Sequence, residues 1–170
     1  GASASASASA SSSAGPNAQA EAQALDGLLA RGESAKAPIG SAVAQVDSCP
    51  AAADITSAAQ TFDSAAQQRD ALLGELAKLN LADLPGGADA AATLKTAWQD
   101  SAGIDRSYAA WARTVATQGC GSSKTAPTTA DKQKADALNP QATQAKQDFV
   151  AKWNPIASTY NLTNRTWDRI

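Results

Sequence analysis

A chain of 170 residues is long enough for one domain with a core, and 44% of it is hydrophobic, alanine foremost. A net charge of −2 at pH 7 and a pI near 5.0 leave no basic face for nucleic acid or anionic lipid. No apolar run approaches the ~20 residues that span a bilayer, and the absence of histidine removes the commonest general base and metal ligand.

Alanine favours helix because it loses no side-chain entropy there, and it thins the core because it buries little area. The chain holds no methionine, so a processed form or an excised piece is expected. Its two cysteines, Cys49 and Cys120, cannot complete a tetrahedral zinc site without histidine, so no metal and no cofactor is expected. Beside a Ser/Ala-rich leader they read as one disulfide in an oxidising compartment; two free buried thiols in a cytosolic protein are the alternative.

Residues 1–16, GASASASASASSSAGP, read as a flexible linker, because nothing in them is large enough to offset the entropy of ordering the backbone. Such a tether reaches roughly 20–25 Å and suggests a domain held off a surface by an anchor upstream. Strict Ser/Ala alternation also has the period of a silk-like strand, which leaves pairing between chains as a second reading.

A bundle is expected over 17–160 and a tail over 161–170. Asn17 is a plausible N-cap for the first helix. Leu25, Gly32, Ile39 and Val46 fall seven apart, and Leu28, Ala35, Ala42 and Cys49 form the companion series. The register crosses Gly32 and Pro38 unbroken, which predicts one long helix over about 18–48, kinked at Pro38; a break at about 32–37 is the alternative. The second helix covers about 51–80, with Ile55, Phe62, Arg69 and Leu76 in one series and Ala58, Ala65, Leu72 and Leu79 in the other. Arg69 is a guanidinium on the seam.

Leu81 to Gly87 is a loop whose Leu84 plugs the end of the bundle, and Asp89 can cap the third helix, about 89–118. This helix has the clearest stripe: Leu94, Ser101, Tyr108 and Val115, with Ala97, Ile104 and Trp111 three residues behind the first three of them. Gly119 ends it. Thr128 and Asp131 resemble a capping box for the fourth helix, which carries Ala135, Ala142, Phe149 and Ile156 past Pro140 and Pro155 to about residue 160. The tail has no stripe; Trp167 and Ile170 either fold back onto the open end of the bundle or form a recognition epitope.

The pattern is all-α, an up-down-up-down four-helix bundle with long, Pro-kinked helices and one disulfide. Helices of about 30 residues would be ~45 Å long. Helices one and three run the same way, so Cys49 and Cys120 meet at one pole. Arg69 and Asp105 can meet inside, with Ser101 and Tyr108 as further partners. Structural ion pairing is the plainer reading of these four; ligand binding is the functional one. Catalysis would want a second titratable group that no histidine can supply. Asn161 and Asn164 begin N-glycosylation acceptor patterns, which are short and common by chance.

The phrases QQRDALLGELAKLNLADLPGGADAAATLKTAWQDSAGIDRSYAAWA and QAKQDFVAKWNPIASTYNL, with both cysteines and Trp153-Asn154-Pro155, give a likeness over about 25–162. There the chain resembles a largely uncharacterised, alanine-rich, disulfide-linked ectodomain of membrane proteins from GC-rich Gram-positive bacteria. The resemblance implies an extracytoplasmic setting, tethered through a membrane span upstream; no activity or site carries over with it. The leading expectation is a non-enzymatic cell-surface domain that binds a protein or small-molecule partner. A small-molecule sensor with a pocket inside the bundle comes second, and an assembly subunit using the Ser/Ala segment third.

Overall fold

A computed structural model describes residues 13–170, and these are all-α, with no strand among the described residues. Helices α1 (Ala18–Ser34), α2 (Ile39–Asp47), α3 (Ala52–Lys78), α4 (Gly87–Gln118) and α5 (Ala130–Thr159) are followed by a 3-10 turn, Trp167–Arg169. The segment expected as a linker lies outside the described residues up to position 12, and with it the strand-pairing reading. Its end is docked: the Gly15 N–H donates to the Asp83 carbonyl at 2.9 Å.

The first stripe is not one kinked helix over 18–48. Two helices, α1 and α2, carry it, with residues 35–38 between them. Pro38 is the physical cause: its ring disfavours the helical conformation at Ala37, and it brings no N–H to continue the ladder. Periodicity reports which residues face inward and is blind to the backbone between them, so Leu25 and Val46 stay in phase, both buried, on separate helices. In α5 the same residue type behaves otherwise: Pro140 and Pro155 both lie inside the helix.

Three caps differ in detail from the sequence reading. Asn17 holds the N-cap position of α1, but its amide donates to Asp83 Oδ2 at 2.9 Å instead of capping. Helix α4 begins at Gly87, ahead of Asp89, behind a left-handed Gly86 (φ 76°), a conformation glycine adopts freely; Asp89 pairs instead with Lys152 at 2.6 Å. At α5 the capping hydroxyl belongs to Thr129, which accepts from the Lys132 N–H, because the helix starts two residues after Thr128.

The buried residues form two apolar clusters. One joins α1 to the last turns of α3, the first turns of α4 and the end of α5, through Leu25, Leu28, Leu72, Leu76, Leu94, Trp98, Phe149 and Trp153; Leu84 and Ile170 close it. The other joins α2 to the start of α3, the end of α4 and the start of α5, through Val46, Ile55, Phe62, Tyr108, Trp111, Val115 and Ala135. Next to this second cluster, Cys49 and Cys120 form a disulfide with a Cα–Cα distance of 6.5 Å, placing both cysteines at one end as expected. The following loop is pinned there too: the Ala126 N–H donates to the Asp47 carbonyl, and Trp111 Nε1–H to the Pro127 carbonyl at 2.9 Å.

Candidate functional site, a polar layer between two apolar clusters

The two clusters do not meet along every helix. Between Phe62 and Leu72 of α3 lies Arg69; between Trp98 and Tyr108 of α4 lie Ser101 and Asp105; between Ala142 and Phe149 of α5 lies Lys146. At this same level α1 has ended and α2 has not begun. The four-residue gap opens a cavity of about 560 Å³, whose walls include Arg69, Ser101, Asp105 and Lys146, and Lys36 and Trp167 besides.

Arg69 is placed by the stripe that buries Ile55, Phe62 and Leu76, so its side chain enters the interior whatever its charge; it is 7% exposed. Its Nη1 is buried and has no hydrogen-bond partner among the described residues. Asp105 is 5% exposed. No ion pair or hydrogen bond joins the two among the described residues, although Arg69 is near enough for its charge to favour the ionised carboxylate. The tight internal pair expected from sequence is therefore replaced by two charges sharing a cavity.

Burial pushes the Asp105 carboxyl up to about 6, against the opposing pull of Arg69 and then of Lys146, Arg106 and Lys36. Burial draws the Lys146 ammonium down to about 7, and repulsion from Lys36 and Arg69 adds to it. Lys36 is lowered as well, by burial first and by Arg69 second. Arg69 is lowered by burial against the pull of Asp105, and a guanidinium in water starts so high that it stays charged. Among the described cavity walls, three cations thus face a single carboxylate.

The tail completes the wall. Trp153 Nε1–H donates to the Thr163 carbonyl at 3.0 Å. Asn154 grips Arg165 twice, its Nδ2 donating to the Arg165 carbonyl at 3.0 Å and its Oδ1 accepting the Arg165 N–H at 2.8 Å. The buried Arg165 guanidinium then reaches Asp26 at 3.0 Å and Glu33 at 3.6 Å on α1. Lys36 Nζ donates to the Asp168 carbonyl. Held on both sides, with Ile170 buried in the first cluster, the tail sets Trp167 on the cavity rim, 40% exposed. Of the two fates expected for the tail, Ile170 follows the fold-back, while Trp167 lines a cavity.

Of the four residues singled out from sequence, Arg69, Ser101 and Asp105 line the cavity. Tyr108 does not: its hydroxyl donates to Asp136 Oδ1 at 2.9 Å and accepts from Asn139 Nδ2 at 3.0 Å, and its ring packs 5.4 Å from Phe62. Burial first, and then the Asp136 hydrogen bond, push this phenol up to about 12. Lys36, Lys146 and Asn139 were missed. Lys146 sits four residues after inward-facing Ala142, a charge on the flank of a stripe; Lys36 lies between Gly32 and Pro38, punctuation that the unbroken phase outweighed.

Among the described residues no group of three or more Cys, Asp or Glu could hold a metal ion, and no helix is long and apolar enough to cross a membrane. The disulfide is compatible with an oxidising, extracytoplasmic environment. No protein-family model, no curated protein and no solved structure matches the chain.

Proposed function

We propose that this chain is an extracytoplasmic, membrane-tethered, non-enzymatic helical domain that binds a small molecule in the cavity between α1 and α2. The observation that carries the reading is the buried Arg69 Nη1, which has no hydrogen-bond partner among the described residues, on the wall of a cavity of about 560 Å³. Ligand cavities commonly fall between ~300 and ~1,000 Å³, and a few convergent polar groups set in apolar walls fix ligand orientation. A buried donor left without a hydrogen bond costs stability, so keeping one beside an open volume favours a ligand over a packing role.

The wider setting rests on the disulfide and the Ser/Ala-rich segment, and it takes up the resemblance expected from sequence over about 25–162. We read the helices as an up-down-up-down bundle, in which α1 with α2 fills the first position, and α5 as kinked at its two prolines. The shared clusters support the first point, and the N–H that each proline lacks supports the second.

Ligand-observed NMR against a mixed library of acids, amines, sugars and neutral aromatics tests the pocket. Binders should lose their saturation transfer in Ala65→Phe, which fills the cavity from α3. Transfer that survives this substitution for every binder contradicts the reading.

A further inference from the structure

We infer that the cavity is a receptor for a small organic anion, a carboxylate head on an apolar body, with Arg69 as the principal anchor and Lys146 and Lys36 as flanking charges. The inference rests on the cavity being a binding site and names what it takes. A cation would meet Lys36, Arg69 and the partly protonated Lys146, with Asp105 the one carboxylate on the described wall. Asp168 and Glu33 act on Lys36 from outside it, which leaves a surplus of like charge on the wall itself. A neutral ligand would leave Arg69 Nη1 short of a charged acceptor. A carboxylate matches the planar fork of a guanidinium, and charge-assisted hydrogen bonds of this kind are the strong ones.

The rest of the wall selects the body. Ile39, Leu72 and Ile104 supply apolar surface, and the Trp167 ring stands at the rim. Inorganic phosphate would make no use of that surface. It would also want converging backbone N–H groups, and no Gly-rich phosphate loop appears in the sequence.

Binding an anion reverses what the cluster does to its own members. Lys146 of α5 faces Lys36 from the α1–α2 gap, Arg69 from α3 and Asp105 from α4. A bound carboxylate offsets the repulsion from the first two and favours the ammonium, so Lys146 takes up a proton as the ligand enters near neutral pH. A merely structural arginine would produce no such uptake.

The test is a titration of the full chain with 3-phenylpropionate, its primary amide, phenethylamine and inorganic phosphate, followed by amide chemical shifts and by calorimetry in buffers of different ionisation enthalpy. The carboxylate should shift the amides of Ala35–Gly40 and the Trp167 indole, bind at least tenfold tighter than the amide, and take up protons at pH 7–8. Arg69→Gln should weaken it at least tenfold. Lys146→Gln, at a half-buried position, should weaken it several-fold and remove the proton uptake that persists at pH 8, where Asp105 contributes least. If the amide or the amine binds as tightly at a site that Ala65→Phe blocks, the pocket survives and the anion inference is overturned. Phosphate binding alone overturns the organic body. If no probe binds in a way that Ala65→Phe abolishes, the inference and the pocket reading fall together.

Discussion

On either side of the cavity the stripes turn apolar residues inward, Leu72, Leu94, Trp98 and Phe149 towards one end and Ile55, Phe62, Trp111 and Val115 towards the other. At the level of the cavity they present Arg69, Ser101, Asp105 and Lys146 instead. Helices α3, α4 and α5 run through all three levels with the same period and change only their side chains, while the backbone breaks between α1 and α2. The difference teaches that apolar packing and buried charge are divided by height along the helices, and the proposed binding role falls to the charged level. The ends hold the domain together, and the middle keeps charges that an optimised core would not contain.

The sharpest way to break the comparison is at the disulfide end. Cys49→Ser with Cys120→Ser opens a loop of sequence separation 71, and chain entropy alone puts the loss at ~4 kcal/mol. Chemical denaturation of the double variant should show that loss, while the cavity, built of other residues, keeps its ligand response in the folded fraction.

At the other end, Leu94→Ala removes a fully buried side chain from the first cluster and should cost about 3 kcal/mol, read from the shift in denaturation midpoint at constant slope. The same experiment on the middle layer should give no comparable loss.

A third difference appears with pH. Asp105 has a folded-state pKa of about 6, raised by burial above the ordinary 3.8, so the folded state holds its proton longer. The linkage therefore lowers stability as pH climbs from about 4 to about 6, by roughly 3 kcal/mol for the net shift of burial against its neighbouring cations. Lys146 has the opposite form of the same penalty: its folded pKa is lowered to about 7, so the cost of its buried charge is full below 7 and is relieved as pH rises towards 10. Together they place a dip in thermal stability near pH 6–7, where many proteins are most stable. Asp105→Asn should flatten the acid side of the dip, and Lys146→Met the alkaline side.

Much of this was legible in the sequence, and the limits have a physical origin. Seven-residue series located the helices, the seam position of Arg69 and the shared end of the two cysteines, because burial follows period. The same series argued for one helix over the break, which was legible only as the alternative at about 32–37 and lies at residues 35–38, since a chain can leave the helix and rejoin it in phase. The cavity lies in that break, and with it Lys36 was lost to view. Lys146 was hidden differently: a lysine on the flank of a stripe looks like an ordinary solvated residue until the neighbouring helix has moved away. The tail was illegible because its order comes from Asn154 and Trp153 gripping backbone groups about ten residues on, contacts that leave no periodic trace.

Equilibrium denaturation of Arg69→Met with Asp105→Asn at pH 7 tests the middle layer most directly. If Arg69 and Asp105 are held in place for a ligand, removing both charges leaves the domain as stable as the parent or up to ~2 kcal/mol more so, with carboxylate binding gone. A loss of about 3 kcal/mol, the size expected of Leu94→Ala, would mean that these charges hold the bundle together like any other core residues.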